Sequence, residues 1–271
     1  MCNNYQKNTD CEKGRPVMLE TFKVPLFNEE RKIRVYLPTT YEETNTRFPV
    51  LYMHDGQNVF DSTEAIGGVS LELHNYLDEQ EVALIVVAID LNTNGEERLN
   101  EYCPWVNGAF SEQLLGYKST TGGKGDDYVE FIVNHLKPII DSTYRTCATN
   151  SYMAGISLGG LISIYTACRY PNHFRRVAGI SSAFYRNQEE IEQLLKNTDL
   201  SRLDRVYLDC GSNEAGESTK VSELFLTSNQ AVHKIVKDKV TETKFHRIAD
   251  GEHNYKTFKK RIPEVISFLT M

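Results

Sequence analysis

A serine stands between two glycines in the segment Gly155-Ile156-Ser157-Leu158-Gly159. This G-x-S-x-G pattern is typical of a sharp strand-to-helix turn, where the hydroxyl projects above the sheet and glycines avoid collisions on either side. An apolar run precedes Ser157 and a stretch of helical period follows it, which is the context that the pattern requires. The sequence therefore predicts a nucleophilic serine at position 157, suited to attack on a carbonyl carbon.

A serine nucleophile needs a base, and chain position selects one of the seven histidines. The base is expected after the nucleophile, at the carboxyl ends of the strands, where α/β sheets keep their sites. His253, in DGEHNY, meets both conditions, because it lies between the last predicted strand and the final predicted helix. We therefore predict His253 as the base. Position in the chain or within a predicted element excludes His74, His135, His173, His233 and His246.

A third residue must hold the imidazole in the correct tautomer and stabilise the imidazolium, and either Asp or Glu can do so. In the order nucleophile, acid, histidine, this residue follows the predicted strand RVYLDCG at 205–211. Glu214 lies in the loop just past the strand end and is the prediction. Asp209, within the strand, is the alternative, and Glu217 starts the next helix.

Acyl transfer also needs N–H donors placed where negative charge develops on the carbonyl oxygen. The backbone N–H of Leu158 is predicted to be one of them, and the amide of Gln57 or Gly56, in the loop HDGQN, the other. His54 and Asp55 stand at the same rim. Without a third ligand nearby in the sequence, we expect a structural role for them and no metal site.

The elements that must position these residues alternate along the chain. Short runs rich in Val, Ile and Tyr predict strands at 33–37, 49–54, 83–90, 151–156, 176–181, 205–210 and 244–248. Spacings of three and four predict helices at 127–140, 158–170, 223–237 and 256–269, the last broken at Pro263. We therefore predict an α/β-hydrolase fold, with a mainly parallel central sheet, helices on both faces and antiparallel first strands.

One segment, at about 91–125, has no sustained period of either kind but contains several aromatic residues. Because long structureless loops are uncommon in compact domains, we expect an ordered insertion that forms part of the substrate pocket. Its candidate substrate-binding residues are Trp105, Tyr102 and Arg98. Arg98 and Glu101 either bind substrate or pair with each other.

The composition argues against several classes of function. The net charge of −7 argues against nucleic-acid binding, which relies on clustered Lys and Arg. No apolar run approaches the roughly 20 residues of a membrane span. The first residues lack a signal-peptide core, and the six cysteines are scattered, so we expect a cytoplasmic protein with reduced thiols. The partner expected is a small-molecule ester, with no cofactor, and homo-oligomerisation is left open.

Two further expectations concern organisation. Residues 1–16 are polar and patternless, which predicts a flexible tail, and 17–271 contains no linker or repeat, which predicts a single domain. The last predicted helix also carries a basic run, which is most often a solvated face. The run consists of Lys256, Lys259, Lys260 and Arg261.

Several stretches across nearly the whole chain are similar to one family. They are RVYLP at 34–38, FPVLYMHDGQNVFD at 48–61, RLNEYCPW at 98–105, GGKGDDYVEFIVNHLKPIID at 122–141, AGISLGGLIS at 154–163 and DGEHN at 250–254. With them the chain resembles the putative esterase family of α/β-hydrolases, which includes enterochelin-esterase-like hydrolases, feruloyl esterases and S-formylglutathione hydrolase, and most of all its cytosolic branch. The resemblance implies ester hydrolysis with Ser157, Glu214 and His253 as the triad.

The function predicted from the sequence is that of a serine carboxylic-ester hydrolase, working through an acyl-enzyme on a small or medium ester. Acyl-sugar, siderophore-like and aromatic esters all fit. The alternatives are an acyltransferase or thioesterase with the same triad, and a non-catalytic binding protein that keeps the hydrolase shell.

Overall fold

The computed structural model describes residues 18–271, so the tail predicted at 1–16 lies outside the described residues. The strands are β1 (Met18–Leu26), β2 (Glu29–Leu37), β3 (Phe48–His54), β4 (Ile85–Ile89), β5 (Thr146–Ile156), β6 (Phe174–Ile180), β7 (Arg205–Gly211) and β8 (Glu242–Ile248). They form one eight-stranded sheet in the order β1-β2-β4-β3-β5-β6-β7-β8. β2 pairs antiparallel with β1 and with β4, and the remaining pairs are parallel. The predicted mainly parallel sheet with antiparallel first strands is confirmed.

The helices connect and cover these strands. Over residues 18–271 they are α1 (Leu73–Glu79), α2 (Glu97–Tyr102), α3 (Ala109–Leu115), α4 (Gly125–Phe131), α5 (Lys137–Thr143), α6 (Leu158–Arg169), α7 (Gln188–Asn197), α8 (Thr219–Val236), α9 (Tyr255–Lys259) and α10 (Ile262–Thr270). A π-helical turn, Ile132–Leu136, joins α4 to α5. The break between α9 and α10 precedes Pro263, which sits in the first turn of α10, where its missing N–H costs no hydrogen bond. In the described part of the chain no helix combines the length and the apolarity that crossing a bilayer would require.

The central strands are buried on both faces, because their apolar side chains alternate between two cores. In β3, Val50 and Tyr52 enter one core while Leu51 and Met53 enter the other. Helices α4 to α8 cover the first core, and α1, α9 and α10 cover the second. This double cover explains why the strands read as continuous apolar runs, as strands of a buried parallel sheet do.

The segment that had no regular period folds into α2 and α3 with ordered connections. Its main anchor is a buried ion pair in which the Arg31 guanidinium on β2 donates to both oxygens of Glu101, at 2.8 and 2.7 Å. Arg98, three residues earlier on α2, pairs instead with Asp55. Of the two alternatives left open for Arg98 and Glu101, the one in which they pair with each other is therefore wrong: successive turns of α2 hold two separate ion pairs.

Glu101→Gln tests this anchor. The substitution leaves the Arg31 charge buried without its counter-charge, so we expect a loss of about 3 kcal/mol in the free energy of unfolding. Urea denaturation followed by circular dichroism gives the value. The control is Glu30→Gln, next to Arg31 on β2, which breaks the exposed pair with Lys23 and should change stability by no more than about 0.5 kcal/mol. Equal losses in the two variants would contradict the assignment of Arg31–Glu101 as the anchor.

Candidate active site

Ser157 occupies the turn between β5 and α6, with φ 60° and ψ −119°. A positive φ is uncommon outside glycine and persists only where neighbouring contacts hold it. Here the Ser157 N–H donates to the carbonyl oxygen of Ile180 at 2.9 Å, and the N–H of Ala183 donates to the Ser157 carbonyl oxygen at 2.9 Å. The end of β6 thus holds the backbone of Ser157 in the sharp turn.

The glycines at this turn differ in how strictly the structure requires them. A Cβ on Gly155 would lie 2.2 Å from the carbonyl carbon of Gly159, so no side chain fits there without movement of the main chain. For a Cβ on Gly159 the nearest atom would be the His54 Cβ, at 3.3 Å, which is tight but not prohibitive. The next residue, Gly160, is the more restricted position, since its Cβ would lie 2.2 Å from Ser182 Oγ. Backbone contact therefore demands the first glycine of the motif more strongly than the second.

His253 lies in the loop between β8 and α9, and its Nδ1 is 2.6 Å from Oε2 of Glu214. The backbone before Glu214 and the backbone before His253 are in close contact. A Cβ on Gly211 would lie only 2.1 Å from the carbonyl oxygen of Gly251. The N–H of Asn213 donates to that same oxygen at 3.0 Å. The rings of Phe225 and Phe258 pack edge-on against the imidazole, at 5.3 and 5.1 Å between centroids.

The Glu214 carboxylate is buried, and donors surround it. Its Oε1 accepts the Gly211 N–H at 2.5 Å and the Ser181 hydroxyl, while Oε2 faces His253. Burial alone would raise the pKa of Glu214, but the hydrogen bonds from His253, Ser181 and Gly211 outweigh it and hold that pKa below its ordinary value. Glu214 is therefore ionised at neutral pH, as an acid that orients a histidine must be.

Asp209, the alternative acid, takes a different partner. It is fully buried and accepts from Arg261 Nη1 at 2.9 Å, from the Ser181 N–H at 3.1 Å and from the Tyr207 hydroxyl at 3.1 Å. Burial raises the pKa of Asp209 to about 6, against the opposing effect of Arg261. The carboxylate that the structure places beside His253 is Glu214.

Arg261 corrects a second expectation. The basic run was predicted to be a solvated face, but Arg261 is only 4% exposed and lies beneath the site, whereas Lys256 and Lys260 are exposed. The helix ends at 259 and restarts at 262, so the run does not follow one helical face. The sequence prediction missed Arg261 because it placed the whole run in one helix up to Pro263, whereas the helix ends two residues before Arg261.

A cavity of about 550 Å³ opens at the carboxyl ends of the strands and has Ser157 and His253 in its wall. The rest of the wall comes from the loop after β3, from the start of the 91–125 segment and from the region of α9. These lining residues are Asp55, Asn58, Ile66, Leu91, Asn92, Thr93, Gly95, Arg98, Ile156, Tyr255 and Phe258. The topology thus brings the predicted nucleophile and base into one space large enough for a small ester.

Of the three predicted substrate-binding residues, Arg98 reaches this cavity. Its Nε and Nη2 donate to the two carboxylate oxygens of Asp55 at 2.7 and 2.8 Å. Tyr102 is fully buried, and its hydroxyl accepts the Asp55 N–H at 3.2 Å. Trp105 packs edge-on against Tyr165, at 5.2 Å between ring centroids. Tyr102 therefore supports the cavity wall from behind, and neither aromatic residue lines the cavity.

The predicted oxyanion donors belong to two turns at the cavity rim, next to the lining residues Ser157, Asp55 and Asn58. Leu158 is the first residue of α6, so its N–H has no acceptor within the helix. Gly56 and Gln57 belong to a single 3₁₀ turn, and the Gln57 side chain accepts from the main chain just after β4. The cavity wall at this turn is formed by the flanking residues Asp55 and Asn58. Sequence reasoning did not single out Asn58, whose Nδ2 donates to the hydroxyl of Tyr255 at 2.9 Å.

His54 lies behind this rim, with Nδ1 2.9 Å from the Tyr128 hydroxyl. Burial lowers the pKa of His54 to about 4, and the opposing charges of Asp55 and Arg98 alter it less. His54 is therefore neutral near pH 7. This state suits a structural role between β3 and α4.

The depressed pKa of His54 predicts a pH-dependent stability. Between its ordinary value of 6.5 and about 4, the unfolded chain binds a proton at His54 that the folded chain does not. Stability should therefore fall by about 3 kcal/mol as the pH drops through this window, and His54 should have no effect above it. His54→Asn should flatten the dependence in urea denaturation at stepped pH, whereas His135→Asn, on an exposed residue, should not. An unchanged slope in His54→Asn would contradict the role of burial.

The sheet order, the serine at the turn after β5 and the histidine in the loop after β8 together define an α/β-hydrolase. The sequence model of the putative esterase family matches residues 25–269, and the chain belongs to that family. Membership supports ester hydrolysis as the general activity.

Known relatives agree with this placement. An uncharacterised protein of Bacillus subtilis (strain 168), YbbA, is 28% identical over 248 residues, which cover 88% of this chain and 92% of YbbA. Among solved structures, the siderophore hydrolase EstA from Aspergillus nidulans superimposes with a TM-score of 0.74 at 16% identity, covering 93% of this chain and 94% of EstA. An IroE-like serine hydrolase from Shewanella oneidensis gives a TM-score of 0.72 at 18% identity, covering 94% of this chain and 79% of the other. The two structures share the α/β-hydrolase fold with this chain.

Proposed function

We propose that this protein is a serine esterase that cleaves a carboxylic ester through an acyl-enzyme, with Ser157, His253 and Glu214 as its triad. The observation that supports the proposal most strongly is the 2.6 Å contact between Nδ1 of His253 and the carboxylate of Glu214. His253 also lines the same cavity as Ser157. With Nδ1 engaged by the carboxylate, Nε2 is the ring nitrogen left to accept a proton.

The reaction follows from these positions. Ser157 Oγ attacks the ester carbonyl carbon while His253 Nε2 takes the hydroxyl proton, and Glu214 stabilises the imidazolium. The N–H of Leu158, with that of Gln57 or Gly56, holds the oxyanion of the tetrahedral intermediate. His253 then passes the proton to the leaving alcohol. Water, activated by His253, releases the acyl group and restores the Ser157 hydroxyl.

The substrate is proposed to be a small or medium ester with a polar or aromatic group. Arg98 uses Nε and Nη2 to hold Asp55, and Nη1 remains to donate to an oxygen of a bound molecule. The side chains of Phe258 and Tyr255 supply an apolar and hydroxyl-bearing wall nearby. Siderophore-like, aromatic and acyl-sugar esters fit this combination, and similar folds include a siderophore hydrolase and a ferulic acid esterase.

Ser157→Ala should abolish esterase activity while leaving the fold intact. With the attacking oxygen removed, hydrolysis of p-nitrophenyl butyrate should fall by about 10⁴-fold or more. The parent should also react with a fluorophosphonate probe, and the alanine variant should not. Ser163→Ala, on the buried face of α6, is the matched control for loss of a serine hydroxyl. Retention of most of the rate in Ser157→Ala would disprove the assignment.

Glu214→Gln and Asp209→Asn separate the two carboxylates. Of the two carboxylates, Glu214 contacts His253 and Asp209 contacts Arg261. Glu214→Gln should therefore lose activity on the order of 10³- to 10⁴-fold, as expected when the imidazole is held in the wrong tautomer. The Asp209 variant should lose far less. Steady-state kinetics on p-nitrophenyl acetate decide, and the reverse order of losses would transfer the acid role to Asp209.

A further inference from the structure

Beneath the proposed triad lies a buried cation that the mechanism above does not use. Arg261 is 4% exposed, and its Nη1 donates both to Ser181 Oγ, at 2.6 Å, and to Asp209 Oδ1, at 2.9 Å. Its Nη2 lies 4.0 Å from Oε1 of Glu214. The guanidinium therefore stands next to the proposed acid, on the side away from His253.

Ser181 connects this cation to the acid. Its backbone has a φ of 44°, a left-handed conformation unusual for serine, and its N–H donates to the main-chain oxygen of Asp209 at 3.0 Å and to Oδ1 at 3.1 Å. Its hydroxyl donates to Glu214 and accepts from Arg261. The preceding residue, Ile180, accepts the N–H of Ser157. One turn after β6 therefore touches both the proposed nucleophile and the proposed acid.

We infer that Arg261, acting through Ser181, is a positioning residue for the Glu214 carboxylate. This inference rests on the proposed function. A guanidinium has donors and no acceptor, so Ser181 must accept from Arg261 and direct its single proton elsewhere. Glu214 Oε1 is the acceptor in that direction. Arg261 thus sets the direction of the Ser181 O–H. As a result Oε1 of Glu214 has two donors, the Ser181 hydroxyl and the Gly211 N–H.

The consequence for catalysis is orientation. With Oε1 held by Ser181 and Gly211, the carboxylate cannot rotate, and Oε2 stays aimed at Nδ1 of His253. The positive charge beside Oε1 also favours the ionised acid. Without Arg261 the Ser181 proton is free to turn to Asp209, whose oxygen already accepts the Ser181 N–H. Glu214 would then lose both a donor and a fixed direction.

The test is a double-mutant cycle. Arg261→Lys keeps the charge but loses the fork, and Ser181→Ala removes only the bridging oxygen; each should lower kcat for p-nitrophenyl butyrate by roughly 10- to 100-fold, with KM little changed. In the Glu214→Gln background, which lacks the carboxylate that Arg261 positions, the same substitutions should cost no further activity. Damage to the fold alone would instead lower activity by the same factor in both backgrounds.

Arg176→Lys is the matched control, because Arg176 also ties α10 to the sheet, through the Leu269 carbonyl oxygen at 2.7 Å, without contacting the triad. It should leave kcat unchanged. Full activity in both Arg261→Lys and Ser181→Ala, or equal losses with and without Glu214, would overturn the inference. Where Arg261→Lys fails to fold, Ser181→Ala decides alone. Failure of the esterase proposal is seen separately, as activity that survives Ser157→Ala.

Discussion

The site depends on one buried interaction, the contact between Nδ1 of His253 and the carboxylate of Glu214. A carboxylate with its side chain 1% exposed is costly unless donors replace its water. Here the Gly211 N–H, the Ser181 hydroxyl and the imidazole do so. The same donors that make burial tolerable also fix the direction of the carboxylate, so folding stability and the aim of the imidazole have a common origin.

That contact imposes constraints on the backbone around it. Three loops must meet at the carboxyl edge of the sheet, and the space between them is filled by main chain. Gly211 and Gly251 approach too closely to admit a side chain, and Gly155 does so against the first turn of α6. The strained φ of Ser157 is held by hydrogen bonds from the end of β6. The strained backbone of Ser157 is therefore held by two hydrogen bonds to one neighbouring segment, residues 180–183.

The cavity wall is also held in place by buried polar contacts. Asp55 and Arg98 form a pair at the mouth, and a layer of buried aromatic and charged residues holds that pair from behind: Tyr102 accepts the Asp55 N–H, and Glu101 anchors α2 through Arg31. The segment at 91–125 forms only short helices, and ion pairs of its polar side chains with other parts of the chain hold it in place. Two of its aromatic residues, Tyr102 and Trp105, pack against Tyr128 and Tyr165, and its first residues form part of the cavity wall.

The sequence by itself determined the order of the strands along the chain and the longer helices between them, because the periods of two and 3.6 are local signals. It did not predict the short helices α2, α3 and α7. It also determined the turn at Ser157, since the glycine spacing is a local steric requirement. Which residues meet was decided by tertiary structure. Glu214 and Asp209 lie five residues apart, and the sequence favoured Glu214 but left Asp209 open as the alternative. In the structure the loop after β7 turns Glu214 toward His253, whereas Asp209, within β7, pairs with Arg261. The burial of Arg261 was equally invisible, because a charge is read as solvated until the fold places buried acceptors around it.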